Sequence, residues 1–253
     1  MLLPVNALWI GNRLGRLHAA CLTSFVRAGH RVILHGFEEI VDVPKGVETF
    51  DASRLMSRSE IIRHKNGSLA LASDIYRLRI LREGMGIYVD CDVYCLRPFP
   101  DEPYLFGWEG NNLVGSAVLN MPADCELLTS MLEAAENPRF IPPWYSRHLR
   151  RKLIMKRMLG RRITLSELEW GAIGPELLTY HLRRLGLDNL ARPADSFYPL
   201  HATQKSLLND PELSLSDLIT SRSLALHLWS SQAIAGVIRS GSVLDDIAVA
   251  PAG

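Results

Sequence analysis

One stretch limits what this chain can fold into more than any other. It is a helical segment, a glycine break and a short β-rich strand that runs into two carboxylates. Over residues 66–83, Leu71, Ile75, Leu78 and Leu81 recur at helical spacing, which predicts a helix with one buried face. Gly84 and Gly86 end it, and Ile87-Tyr88-Val89 reads as a compact strand leading into Asp90-Cys91-Asp92. Two residues apart on a strand, both carboxylates point to one face. At the carboxyl end of a strand in an open α/β sheet, that face meets the crevice where ligands bind. Two bare carboxylates this close repel, so one would keep its proton. A hard divalent cation that prefers oxygen ligands removes the conflict. An Asp-x-Asp triplet standing alone is more often a solvated strand end, so its setting has to carry the reading.

The flanking segments supply that setting. Residues 7–10 are apolar and end at Gly11-Asn12, as a buried first strand would. Leu14, Leu17, Cys21, Leu22, Phe25 and Val26 form a helical stripe over 14–28, stopped by Gly29, and 32–34 reads as a second strand. Strand, helix, strand in that order favours a parallel sheet with right-handed crossovers. Further strands are predicted at 93–96, 105–108, 117–119 and 224–228, and helices at 125–136 and 175–185. The last helix has Pro175 in its first turn, where a missing N–H costs least. A chain of 253 residues suits one α/β domain, a mixed, mainly parallel sheet flanked by helices. A basic helical insertion is expected around 144–162.

A formal net charge of +1 gives no global reason to expect nucleic acid as a partner, and none is predicted. The four cysteines, Cys21, Cys91, Cys95 and Cys125, form no CxxC pair, which favours reduced thiols in a cytosolic compartment over zinc or disulfides. Residues 1–10 lack a basic n-region, and no run of about 18 apolar residues occurs, so neither a signal peptide nor a membrane span is expected. From Arg147 to Arg162 there are eight Arg or Lys residues and no acid, with Leu149, Leu153, Ile154, Met158 and Leu159 at helical spacing. Such a helix either lies on an anionic membrane surface or packs its apolar stripe on the domain.

The linked block 71–98 contains Ala72-Ser73-Asp74-Ile75-Tyr76-Arg77 and then Gly84-Met85-Gly86-Ile87-Tyr88-Val89-Asp90-Cys91-Asp92-Val93. It resembles the DXD-containing sugar transferases of glycosyltransferase family 32, which are similar to α-1,4-galactosyltransferases, capsular and lipopolysaccharide transferases and the clostridial glucosylating toxins. Met85 stands where that family has the second glycine of a pair, with Gly86 following. More thinly, Ala7-Leu8-Trp9-Ile10-Gly11 looks like the family's first strand, His30-Arg31-Val32 its second, and Gly174-Pro175 the opening of a late helix. Ala225-Leu226-His227-Leu228-Trp229-Ser230 resembles the C-terminal His-x-Trp segment that closes over the donor diphosphate. Ser230, Ser231 and Gln232 stand where the family more often has Asn or a later Ser-Trp, which leaves the third metal ligand open.

The resemblance implies a GT-A type nucleotide-diphospho-sugar transferase fold. It implies metal-dependent, retaining transfer of a hexosyl unit from a nucleotide-diphosphate sugar, with UDP expected, to a glycan or lipid-linked hydroxyl. Mn2+ or Mg2+ would be held by Asp90, Asp92 and His227. Trp9, Asp74, Arg77, Asp90, Trp229 and Ser230 would bind the donor, with Trp9 stacked on uracil, and Asp74, Arg77, Asp90 and Asp92 would form the catalytic set. The cysteines favour a cytoplasmic protein, and the basic helix would place it peripherally on the inner face of the membrane. A solvated helix packed on the domain is the equal alternative.

Helical spacing alone makes Asp74 and Arg77 a surface ion pair contributing roughly 0.2–0.5 kcal/mol. Tyr76 and Tyr88 read as core aromatics, and Glu109 as a charged loop residue within reach of an acceptor. His18, His30, His35, His64, His148, His181 and His201 lack ligand spacing and receive no role. Two other functions compete. A haloacid-dehalogenase-type phosphatase also uses Asp-x-Asp after a strand, normally near the N-terminus. The other is a non-catalytic sugar- or membrane-binding protein on a transferase fold.

Overall fold

Strand β1 (Val5–Trp9) lies between two parallel neighbours, β2 (Val32–Gly36) and β4 (Ile87–Val89), in a computed structural model that describes residues 2–110, 112–161, 164–230 and 238–249. A further parallel strand, β3 (Val47–Asp51), flanks β2. On the other side, β7 (Leu113–Asn120) runs antiparallel to β4, and β6 (Leu105–Gly110) antiparallel to β7. The order β3-β2-β1-β4-β7-β6 makes a six-stranded mixed sheet with parallel pairing over its first four strands. Two more strands, β5 (Val93–Cys95) and β8 (Ala225–His227), form a separate antiparallel ribbon.

Both faces of the central strands are covered. Val5 and Ala7 of β1 and Ile87 and Val89 of β4 pack with Leu22 and Phe25 of helix α1 (Arg16–Arg27). The alternate residues Leu8 and Tyr88 pack with Ile75 and Leu78 of α2 (Ala70–Arg82) and with α3 (Glu126–Glu136) and α5 (Pro175–Leu185). Period-two alternation between two apolar layers explains why these strands read as unbroken apolar runs. This α/β architecture, a mixed and mainly parallel sheet flanked by helices, is the one the sequence implies.

Several boundaries differ for local reasons. Residues 66–69 do not extend α2, because the Asn66 and Ser68 side chains accept the N–H groups of Ser68 and Ala70 at 3.0 and 3.1 Å and hold a turn. Strand β3 lacked an apolar signal, since Glu48, Thr49 and Asp51 are exposed at the sheet edge. The basic helix α4 (Arg147–Met158) stops short of the expected 162, closed by Gly160 at φ 74°; Arg162 lies outside the described residues. Among the described residues no helix is long and apolar enough to cross a membrane. All four cysteines are free thiols.

Tyr76 is a core aromatic with a polar task. Its hydroxyl lies 2.9 Å from Nδ1 of fully buried His35, whose Nε2 meets Asn6 Oδ1 at 3.0 Å. Burial lowers the His35 pKa from 6.5 to about 4. The neutral ring is therefore the folded form. Its contribution is complete above the unfolded value and is lost as pH falls through the folded one. At roughly 1.4 kcal/mol per unit, the loss is about 3 kcal/mol. Urea unfolding of the wild type should therefore show a marked fall in stability between pH 6.5 and 4. His35→Gln should start less stable at pH 7 but decline less. Equal declines in the two proteins would contradict this account.

Candidate functional site

Strand β4 ends at Val89, and residues 90–92 form a turn into β5, closed by the Val93 N–H on the Asp90 carbonyl at 3.1 Å. The two carboxylates therefore converge because of a turn, not through alternation along a strand. Cys91 between them is buried, with its Sγ 3.4 Å from the Leu8 carbonyl.

Asp92 is not the exposed strand-end carboxylate of a solvated triplet. It is buried, and its Oδ2 accepts from the Ser230 N–H at 2.8 Å and the Ser230 hydroxyl at 3.0 Å. His227 Nε2 lies 3.2 Å from Oδ1, delivered by the β5–β8 ribbon, whose register sets His227 opposite Val93. Burial alone would raise the Asp92 pKa, but His227 and Ser230 outweigh it and hold the carboxyl well below its usual range. Burial works to lower the His227 pKa, and Asp92 reverses this to a net rise. Asp90 is half-buried, and its Oδ1 accepts both the Tyr88 hydroxyl at 2.9 Å and Arg77 Nη2 at 3.1 Å.

Asp90, Asp92 and His227 can each offer one ligand atom, with all three within 4.8 Å of one another. The set suits a divalent cation: two carboxylates and an imidazole. Nδ1 of His227 is buried and has no hydrogen-bond partner among the described residues.

Asp74 and Arg77 are not a surface pair, for both are buried. Arg77 Nη1 donates to the carbonyl and hydroxyl of Ser116 at 2.6 Å each, and Nη2 lies 3.3 Å from Asp74. Its guanidinium sits 4.7 Å from the centre of the Tyr88 ring, so Tyr88 does more than fill the core. Burial raises the Asp74 pKa to about 6 against the pull of Arg77, and Asp90 adds to the rise.

All eight residues expected at the site, Trp9, Asp74, Arg77, Asp90, Asp92, His227, Trp229 and Ser230, line one cavity of about 560 Å³. The Trp9 indole is fixed by its N–H on the Arg13 carbonyl at 2.8 Å. Trp229 takes a left-handed backbone, φ 56°, immediately before the residue that caps Asp92. Its ring centre lies 4.1 Å from that of His227. Ser231 and Gln232 lie outside the described residues.

Two further residues line the site: His18, which received no role from the sequence, and Glu109, which read as a charged loop residue. The His18 ring lies 4.7 Å, centre to centre, from that of Trp9, tilted by 47°, and reaches Ser230 Oγ through Nε2 at 3.0 Å. Glu109 belongs to β6, not a loop, and faces the same cavity half-buried; burial raises its pKa. A polar residue late in an apolar strand was the available signal for Glu109. His18 offered none, because its partner is 212 positions away.

No family model matches the chain. It is similar to the subversion of eukaryotic traffic protein A of Legionella pneumophila, with 28% identity over 157 residues covering 57% of this chain and 24% of that protein. The chain thus spans about a quarter of that relative's length. Among solved structures it is similar to WbbM, a bifunctional glycosyltransferase in its apo form. There the identity is 14% and the TM-score 0.39, over 97% of this chain and 49% of that one.

Gly174, ahead of Pro175, has a specific reason to be glycine. A Cβ there would fall 2.6 Å from Asp74 Oδ1. Gly174→Ala should therefore lower stability by about 1–3 kcal/mol through overpacking. An unchanged urea midpoint would show that Asp74 is not held against this turn.

Proposed function

We propose that this chain is a metal-dependent GT-A type glycosyltransferase of family 32, a single domain over residues 1–253. It moves a hexosyl unit from a UDP-sugar to a glycan or lipid-linked hydroxyl with retention of configuration. The observation that carries the reading is the convergence, in one cavity, of a metal-ligating trio, a buried Arg–Asp pair and a fixed indole. A nucleotide-diphosphate sugar needs all three: a cation for the diphosphate, polar groups for the sugar, and an aromatic face for the base.

Asp90, Asp92 and His227 would hold Mn2+ or Mg2+, which when bound supplies Lewis-acid stabilisation of the leaving diphosphate. Arg77 presents a permanent positive charge to the same phosphates, already positioned by Ser116 and the two aspartates. Asp74 accepts hydrogen bonds from sugar hydroxyls, and Trp9 stacks on the uracil. Trp229 and Ser230 enclose the diphosphate end. The acceptor oxygen attacks from the face the diphosphate leaves. A phosphatase would instead need Asp90 as nucleophile, and its Oδ1 is already engaged by a guanidinium and a phenol.

A screen of UDP- and GDP-sugars with Mn2+, read as nucleotide release, tests this. Asp92→Asn should lower turnover at least a hundredfold, and EDTA should abolish it in the wild type. Trp9→Ala should weaken UDP binding, whereas Asp74→Ala should mainly reduce turnover. Full wild-type activity in EDTA would remove the metal from the mechanism.

We further assign α4 to peripheral contact with an anionic membrane at the cytoplasmic face. Leu153 is buried, but Met155, Met158 and Leu159 are 62%, 81% and 77% exposed beside Lys156 and Arg157. Exposed apolar side chains among cations suit the headgroup boundary, where each Lys or Arg contributes about 1 kcal/mol. The protein should float with anionic liposomes at low salt and be released at high salt. Protein left unbound at low salt would return α4 to an ordinary solvated helix.

A further inference from the structure

The cavity assigned to the donor has two neighbours along the β6–β7 hairpin. Glu109 is a wall shared with a neighbouring cavity of about 390 Å³, also lined by Gly110, Leu113 and His201. Leu113 is in turn shared with a third cavity of about 460 Å³, whose walls include Trp144, Glu176, Tyr180 and Arg183. The three adjoin in series, with Glu109 joining the first pair and Leu113 the second. Gly110 keeps the middle one open, since a Cβ there would meet the His201 ring at 3.1 Å.

The far cavity is lined by two aromatic rings, inclined to each other by 41° and edged by hydrogen-bonding groups. The rings of Trp144 and Tyr180 lie 5.1 Å apart, both half-buried. The Trp144 indole N–H donates to Glu176 Oε2 at 2.9 Å, which fixes the ring where it lines the cavity. Arg183 lies 5.9 Å from the Trp108 ring centre and donates to the Asn112 carbonyl at 2.9 Å. A ligand for such a wall has an apolar face and a polar perimeter. A pyranose ring has both: axial C–H groups on its face and hydroxyls around its edge. A run of linked pyranoses also matches three cavities in series better than a single small molecule does.

We propose that these cavities form the track of an oligosaccharide acceptor. Its terminal sugar lies beside Glu109, which takes the proton of the attacking hydroxyl as that oxygen bonds the anomeric carbon and the bond to the diphosphate breaks. Its inner sugars lie on Trp144 and Tyr180. This rests on the glycosyltransferase reading and narrows the acceptor from a glycan or lipid-linked hydroxyl to a chain of several sugars. Glu109 touches the reacting oxygen, whereas Trp144 and Tyr180 set affinity and chain length.

The test probes a printed glycan array with the labelled full-length chain, as wild type, Trp144→Ala and Leu113→Arg. The second variant blocks the track without removing a ring that also packs against Phe140 and Tyr145. Thermal melting confirms that each variant folds. UDP release from the UDP-sugar without acceptor, measured on the wild type, reports separately on the transferase reading. The wild type should retain one class of oligosaccharide at least tenfold more tightly than either folded variant, and more tightly than the corresponding monosaccharide. Metal-dependent UDP release combined with no glycan that separates the wild type from the folded variants overturns the track and leaves the transferase reading standing. Preference for peptide features of arrayed glycopeptides, equal in all three proteins, overturns it as well. Absence of metal-dependent UDP release defeats the transferase reading itself, and the track with it.

Discussion

The structure depends on the burial of one cation. Arg77 is enclosed between α2 and the sheet, where it binds Ser116 on β7, Asp90 at the end of β4 and Asp74 one turn back on its own helix. Removing a partner from such a group costs about 3–5 kcal/mol, because the charge left behind is desolvated and unpaired. The arrangement is therefore poor as a source of stability compared with an apolar substitute, yet it fixes three elements in register. A fixed guanidinium beside a cavity provides positive charge that needs no rearrangement when an anion arrives.

The carboxylates are placed by a different device. A tight turn after β4 turns Cys91 inward and leaves Asp90 and Asp92 on the cavity side. The β5–β8 ribbon then brings His227 and Ser230 up to Asp92 from the far end of the chain. The buried Asp92–His227 pair holds two of the candidate ligands together while the third, Asp90, is tied to Arg77. Charge balance in the cavity is thus shared between a permanent cation and a titratable one, and a divalent ion would complete it.

The parts legible in the sequence are those whose partners lie close by. Helix α2, the glycine break, β4 and the carboxylate pair form one continuous segment, so spacing and residue type suffice. Even there, strand alternation predicted the right convergence by the wrong geometry, since the pair lies in a turn. His18 became a site residue through Trp9 and the distant Ser230, which left no ligand spacing in the sequence. Glu109 left only the weak signal of a polar residue late in an apolar strand. The edge strand β3 was silent because exposed Glu48, Thr49 and Asp51 carry no apolar signal. Burial of Asp74 and Arg77 was invisible for the same reason: two charged residues on a helix look solvated until the sheet that covers them is in place.

The central claim is that Asp90, Asp92 and His227 form one cation site at the diphosphate end of the cavity. Anomalous diffraction from crystals soaked with MnCl2 and UDP measures this directly. The account predicts a single strong manganese peak bounded by those three side chains and in contact with the UDP phosphates. UDP bound in the cavity with no manganese there, or manganese held elsewhere in the chain, would contradict it.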